Sequence, residues 1–407
     1  MGAEGVKWVS NNSSPTLTRY HGAPTVNVLY SPASQAAATS YFDALAPWGL
    51  MGRVSMRPDG SVASRCKVNQ TSLQTSLNWG DTCYSDTNDD SNGQQKMVYV
   101  PQYCLYVDAL TANQVWVWVG QIGDKFRLSN DSADYTFSAS DIQPAFNIGG
   151  VNKSGMFVGA YNGCKNTNFM GTGVTALESI AGVTPTATNA PLTIANARIA
   201  AQAIGAGWNL QTIQSYSAFL PLFIIEYASL GSQSILGSGL SQTTIQNTGL
   251  STMYGNASYG TSANSTTVMS YRGIENIWGN LSTFLEGINI KGNYNPWIAA
   301  QSTASGYYDS TAFDGAKYID TTATLATSGF ITAISTALTP WAFLPTTATG
   351  DASTYFCDYL NIGTGTRAYF AGGEYNKGNY AGIFERDCQQ TSVSNAAYGF
   401  RIQYFPP

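Results

Sequence analysis

At 407 residues, 43% of them apolar, the chain is long enough to bury a sizeable core and too apolar to be disordered. Only 11% of residues are charged and the net charge is −5, with no basic run, so the clustered Lys and Arg that neutralise phosphates are absent and nucleic acid is not an expected partner. The longest apolar run, Ala218 to Ile225, falls far short of a membrane span, and the opening MGAEGVKWVSNNSSP lacks the apolar stretch of a signal peptide.

Residues 1 to about 92 are polar and turn-rich, with one helix expected near Ala33 to Leu45. Two runs rich in β-branched and aromatic residues follow, Met97 to Val107 and Gln114 to Val119, and they read as a hairpin-like pair of strands. Both faces of QVWVWV are apolar, which places that strand inside a sheet rather than at its edge. Residues 165–193, rich in Thr, Gly and Ala, read as a long surface loop. Helical spacing then returns over Ile194 to Ile204 and Thr212 to Leu230, where Pro221 must kink the second helix or mark its true start. The stretch 231–270 is again Gly/Ser/Thr-rich, and the remainder alternates short aromatic runs with Gly-containing turns. The class this describes is α+β, with two helices set among short strands and long loops.

Chemistry-bearing motifs are sparse. A single histidine, His21, would have to serve any Ser–His–Asp or Cys–His arrangement as base, and one His without neighbouring thiolates builds no zinc site, so a surface role is expected. The 24 acidic residues leave paired-carboxylate hydrolysis formally open, but nothing singles out a pair. Gly363-Thr364-Gly365 has no third glycine and no βαβ surroundings, so it is no dinucleotide loop. Asn88 to Gly93 resembles the opening of a calcium loop, yet Tyr99 stands where the twelfth-position acid belongs. A solvated turn is the expectation; no cofactor is expected, calcium being the one ion with a partial motif. Six cysteines without a C-x-x-C leave disulfides (Cys66–Cys83, Cys357–Cys388) and buried thiols equally open.

The positive signal is aromatic and amide density. The chain has 25 Tyr and 9 Trp, many of the Tyr in Gly-rich polar stretches near the carboxy terminus. Tyr offers large contact area at low entropic cost, and Asn, Ser and Gly add adaptable hydrogen bonds, the mixture that binding loops use. Core packing accounts for Trp116, Trp118 and Trp278; it accounts less well for those tyrosines.

Arg367 to Ile402 (RAYFAGGEYNKGNYAGIFERDCQQTSVSNAAYGFRI) resembles the end of the C-type-lectin-like fold shared by formylglycine-generating-enzyme-like domains and the variable proteins of diversity-generating retroelements. Its frame would be Gly372-Gly373, Ala381-Gly382 with Phe384, and Gly399-Phe400-Arg401. Upstream, Tyr271 to Ile288 (YRGIENIWGNLSTFLEGI), Gly207-Trp208 with FIIEYASLGSQS, Asn92 to Tyr103 (NGQQKMVYVPQY) and Met156 to Tyr161 (MFVGAY) match that family in order.

The resemblance implies a non-enzymatic, virion-associated tail or fibre protein that binds a host-surface protein or glycan. It would be a homotrimer contacting other virion proteins, with residues 1–92 for attachment and oligomerisation and 93–407 for recognition. Candidate contact residues are Tyr369, Glu374, Tyr375, Asn376, Asn379, Tyr380, Glu385, Arg386, Gln389, Ser394, Asn395 and Tyr398. Glu374, Lys377, Glu385 and the Gln389-Gln390 pair are not residues that mutagenesis of Asn codons readily yields, so active diversification does not follow. A structural or decorating virion protein without a receptor, and a hydrolase or lyase acting on surface polysaccharide, are the competing readings.

Overall fold

In a computed structural model the described residues are 2–22, 28–30, 37, 41–67, 92–109, 111, 113–129, 133–185, 192–251, 268–299, 318–336 and 339–406. Within them the chain is mostly β with a few short helices, an α+β protein. Residues 88–91 of the calcium-like segment, Cys83 and most of the Ala33–Leu45 helix lie outside them.

Three sheets carry the architecture. The first runs Val28–Tyr30, Thr18–His21, Glu4–Val9, Gln114–Gly120, Cys104–Asp108. Gln114–Gly120 is interior to it, as its two apolar faces require, with Trp116 and Trp118 buried. The second runs Trp208–Leu210, Ile402–Tyr404, Gly155–Gly159, Gln95–Pro101, Gly52–Met56, Val62–Lys67. The third runs Tyr318–Asp320, Asn295–Ala299, Ser282–Lys291, Arg367–Gly372, Gly382–Gln390, Tyr359–Ile362, Gly329–Phe330, with Tyr398–Gly399 paired in parallel to Ser282 and Thr283. Strands from residues 1–92 thus share sheets with strands from the rest of the chain.

Two sequence expectations change here. Met97 to Val107 is two strands in two sheets, Gln95–Pro101 and Cys104–Asp108, and only the second forms the hairpin, with Cys104 opposite Gly120. Pro101 has no N–H for a continuing ladder, and Tyr103 turns into the core, where its hydroxyl donates to the Ala218 carbonyl at 2.5 Å. Residues 165–193 are not one loop: Cys164–Phe169 and Val174–Glu178 form a hairpin. Its turn uses the Gly residues that suggested a loop, Gly171 and Gly173 at φ +73° and +74°, while Ala176 and Leu177 bury and hold the strand down.

Ile194–Gln202 is helical, Thr193 capping it by accepting from the Asn196 N–H. The next helical segment is broken: Ile213–Ser217, then Phe219–Tyr227 with Pro221 inside its first turn, where a missing N–H costs nothing. Every residue of Phe219–Tyr227 is buried, against the first sheet. Arg19, on that sheet, donates to the Ile225 and Glu226 carbonyls at 2.9 and 2.6 Å and so satisfies acceptors that the helix end leaves open.

The segment 268–290 is buried without interruption. Arg272, in a left-handed conformation (φ +48°), pairs inside it with Glu226 at 2.5 Å and with Asp43. Arg401, from the closing Gly-Phe-Arg, donates to the carbonyls of Gly159, Glu275 and Asn276 at 2.7–3.0 Å. Both arginines are internal struts. Cys104, Cys164, Cys357 and Cys388 are free thiols, so no Cys357–Cys388 bridge exists.

Candidate functional site

The carboxy-terminal strands Arg367–Gly372 and Gly382–Gln390 pair antiparallel, Tyr369 opposite Cys388, Phe370 opposite Asp387 and Ala371 opposite Arg386. Directly opposite residues share a sheet face. One face therefore carries Tyr369, Ala371, Arg386 and Cys388, all in the core; the other carries Phe370, Glu385, Asp387 and Gln389. This alternation sorts the twelve candidates.

Tyr369 and Arg386 belong to the core face and are fully buried, with the Arg386 guanidinium 5.1 Å over the Tyr216 ring and donating to the Ile383 carbonyl at 3.0 Å. Glu385 (1% exposed) and Glu374 (6%) are also buried. These four side chains support the surface from within rather than reach out from it. The other eight come to the outside: Asn376, Asn379, Tyr380, Ser394 and Asn395 are exposed, and Tyr375, Gln389 and Tyr398 are half-buried.

The loop 373–381 displays its members on a fastened backbone. Tyr375 N–H donates to the Asn280 carbonyl at 3.1 Å, Thr243 N–H to the Tyr375 carbonyl at 2.9 Å, and Gly378 N–H to the Ser241 carbonyl at 2.7 Å. The Gln233 amide donates to the carbonyls of Gly378 and Ala381. Gly373 and Gly378 take φ +74° and +57°, which bends the chain tightly enough for these bonds. The second segment, 391–398, turns on Asn395, whose side-chain oxygen accepts the Ala397 N–H at 2.9 Å, while Ser282 N–H donates to the Ala397 carbonyl at 3.0 Å.

Beneath both segments lies Asp387, fully buried. Its Oδ1 accepts from Asn361 at 3.0 Å and Gln389 at 2.6 Å; its Oδ2 accepts from the Tyr398 hydroxyl at 3.2 Å and Lys377 Nζ at 3.4 Å. Lys377 also sits 3.5 Å from Glu374. Burial pushes the Glu374 carboxyl up to about 7, and burial together with the Asp387 charge raises Glu385 well above the carboxylate range. Burial alone would lower the Lys377 ammonium, but Asp387, Glu374 and Glu385 more than offset it and hold it above its ordinary value. Among the described residues no group of three or more His, Cys, Asp and Glu is arranged to hold a metal ion.

At the other end of the loop, Tyr380 stacks on Tyr359 with centroids 4.3 Å apart and planes at 18°, and Phe330 meets both edge-on at 5.2–5.3 Å. Tyr359 and Phe330 were not among the sequence candidates, and nothing local marks them, because the parallel pairing of Tyr359–Ile362 with Gly382–Gln390 is long-range. Lys377 and Asp387 are likewise not among the sequence candidates. Period two along GIFERDCQQ would have put Asp387 on one face with Glu385 and Gln389.

His21, 42% exposed at its side chain, pairs its Nδ1 with Glu4 at 2.6 Å, and Glu4 also accepts the Tyr41 hydroxyl at 2.9 Å. Burial raises the Glu4 carboxyl above its ordinary value.

No family model and no curated protein matches the chain. Among solved structures it is similar to two Major Tropism Determinant variants. For the U1 variant the identity is 11%, covering 97% of this chain and 81% of that one, with a TM-score of 0.27. For the P3c variant the identity is 12%, with the same coverages and TM-score. A likeness this slight assigns neither fold nor function, so the functional reading rests on the chain's own residues.

Proposed function

We propose that the chain is a virion-associated recognition protein that binds a host-surface protein or glycan through the segments 373–381 and 391–398. On this reading a C-type-lectin-like framework displays them, as the motif order from Asn92 to Ile402 implies, and the protein has no catalytic activity. The observation that carries it is the division of labour in 367–401. The backbone of 373–381 is bonded to 233, 241, 243 and 280, whereas Asn376, Asn379 and Tyr380 point amides and a phenol outward. Rigid backbone with replaceable polar and aromatic side chains is the arrangement a recognition surface needs, since ordering costs are met before the partner arrives.

The test is adsorption. Virions carrying Asn376→Ala, Asn379→Ala and Tyr380→Ala together should lose attachment to host cells, with the purified protein still folding cooperatively and losing only the stability of the Tyr380–Tyr359 stack, about 1 kcal/mol; undiminished attachment overturns the reading.

A second reading is a decorating role without a receptor, and the amino-terminal sheet favours it. Its outermost strand among the described residues, Val28–Tyr30, exposes Val28 (51%) and Leu29 (58%), apolar side chains on a strand that has no second partner among those residues. Assembly with other virion proteins, or as a trimer, would use such an edge. Virions lacking the protein would then attach to hosts normally but lose physical stability.

A further inference from the structure

Resting on the recognition reading, we infer that Asp387 is the positioning residue of the surface: one buried carboxylate that holds the 373–381 and 391–398 segments in a single arrangement, so that neither moves without the other. Four donors from four places in the chain meet on it. Lys377 comes from the first segment, Tyr398 from the end of the second, Asn361 from the neighbouring parallel strand and Gln389 from its own strand. Of these, Gln389 and Tyr398 are half-buried members of the displayed surface, and Lys377 lies between the exposed Asn376 and Asn379.

The link is mechanical as well as electrostatic. Asp387 stands opposite Phe370, and the Tyr398 ring packs on Phe370 at 4.7 Å. The Tyr398 hydroxyl is therefore delivered to Asp387 by ring packing rather than by a free swing. Lys377 reaches the same oxygen of that carboxylate, Oδ2, 18% exposed, with Glu374 as its second partner. Cutting either contact leaves a buried carboxylate one donor short, a desolvation cost borne by the closed arrangement that both segments share.

The groups facing this point are Glu374, Glu385, Asp387, Lys377 and Tyr398, three carboxylic acids around one ammonium and one phenol. Glu374 Oε2 and Glu385 Oε2 are buried and have no hydrogen-bond partner among the described residues. With both glutamic acids protonated, Lys377 and Asp387 pair undisturbed. Ionising Glu374 makes it a rival for Lys377 and puts a second negative charge beside Asp387. Both segments then loosen together as pH rises, because the competition is at their shared anchor.

Hydrogen exchange on the full chain, read peptide by peptide between pH 5 and 8.5 after correction for intrinsic rates, tests this without needing the partner. In Tyr398→Phe, which removes one hydroxyl and keeps the ring on Phe370, residues 373–381 should exchange at least about fivefold faster although the change lies in the other segment, while 282–290 stays protected. In the unaltered chain both segments should loosen in parallel above about pH 7, and Glu374→Gln should abolish that pH step in both. Loosening confined to 391–398 in Tyr398→Phe, or a pH step that survives Glu374→Gln, overturns the inference. Asp387→Asn keeps acceptors for Asn361 and Gln389 but not the charge, and should release both segments; release of only one again overturns it. Failure of the adsorption test alone would strike the recognition reading and leave this coupling intact.

Discussion

Tyr380 lies flat against Tyr359, ring centroids 4.3 Å apart, so the most exposed aromatic side chain of the carboxy-terminal surface is held upright by a residue 21 positions earlier. A Tyr ring left standing in solvent would sample several rotamers; backed by Tyr359 and edged by Phe330, it presents one. Tyr359→Ala should cost about 1 kcal/mol beyond the area lost and weaken the near-ultraviolet dichroism of tyrosine. On the recognition reading it should reduce host attachment nearly as much as Tyr380→Ala does, although Tyr359 is the less exposed of the two. Attachment unaffected by Tyr359→Ala but lost in Tyr380→Ala would show that the backing does not matter.

The buried pair of Glu226 and Arg272 predicts a large stability effect far from the surface. Glu226 is fully buried, accepts from Arg272 at 2.5 and 3.1 Å and from the Tyr271 hydroxyl at 3.2 Å. Glu226→Ala leaves the guanidinium with Asp43 as its remaining carboxylate and should cost about 3–5 kcal/mol, whereas replacing both residues by Leu and Met should recover much of that loss. Urea unfolding of the three proteins measures it.

Glu374 predicts a pH dependence of stability whose sign is opposite to that of most carboxylates. Its folded value of about 7 lies above the ordinary 4.5 of an exposed glutamic acid. The folded state therefore holds a proton that the unfolded chain gives up, and the contribution is full below about 4.5 and lost as pH rises through about 7. Within that window the slope from this group approaches about 1.4 kcal/mol per pH unit. The difference in unfolding free energy between Glu374→Gln and the unaltered chain should shift in favour of the glutamine variant from pH 4.5 to 7.5; a constant difference would refute the assignment.

Two glycines separate close approach from backbone strain. Gly372, at φ +93°, would place a Cβ 2.2 Å from the Ile277 carbonyl oxygen, whereas Gly365, at φ +86°, has nothing within 4 Å of its Cβ position. Gly365→Ala should cost only the strain, about 1–2 kcal/mol, and Gly372→Ala about 3 kcal/mol or more, since the 277 backbone has to move. Comparing their thermal midpoints under one condition decides whether Gly372 is required by space or by dihedral alone.

Much of the local structure was legible in the sequence because it depends on near neighbours. The two-sided apolar pattern of QVWVWV places it inside a sheet, Pro221 marks where a helix restarts, and Trp116, Trp118 and Trp278 are core. Errors came where a local signal had two outcomes. Gly and Thr over 165–193 suit a loop and a hairpin turn alike, and only the burial of Ala176 and Leu177 selects the hairpin. An aromatic run through Pro101 suits one strand or two, and Tyr103 decides by finding Ala218.

Composition by itself determined that this is a low-charge, aromatic-rich chain whose carboxy-terminal tract mixes frame glycines with Tyr, Asn and charged residues. The tertiary structure decided which of those residues face outward. Tyr369 and Arg386 turn into the core, Glu374 and Glu385 lie beneath the surface, and Asn376, Asn379 and Tyr380 remain outside. The reason is that exposure in a strand is settled by what covers each face. Here the cover comes from Tyr216, Tyr398 and the parallel strand at 359–362, none of which is adjacent in sequence to the side chains it covers or excludes.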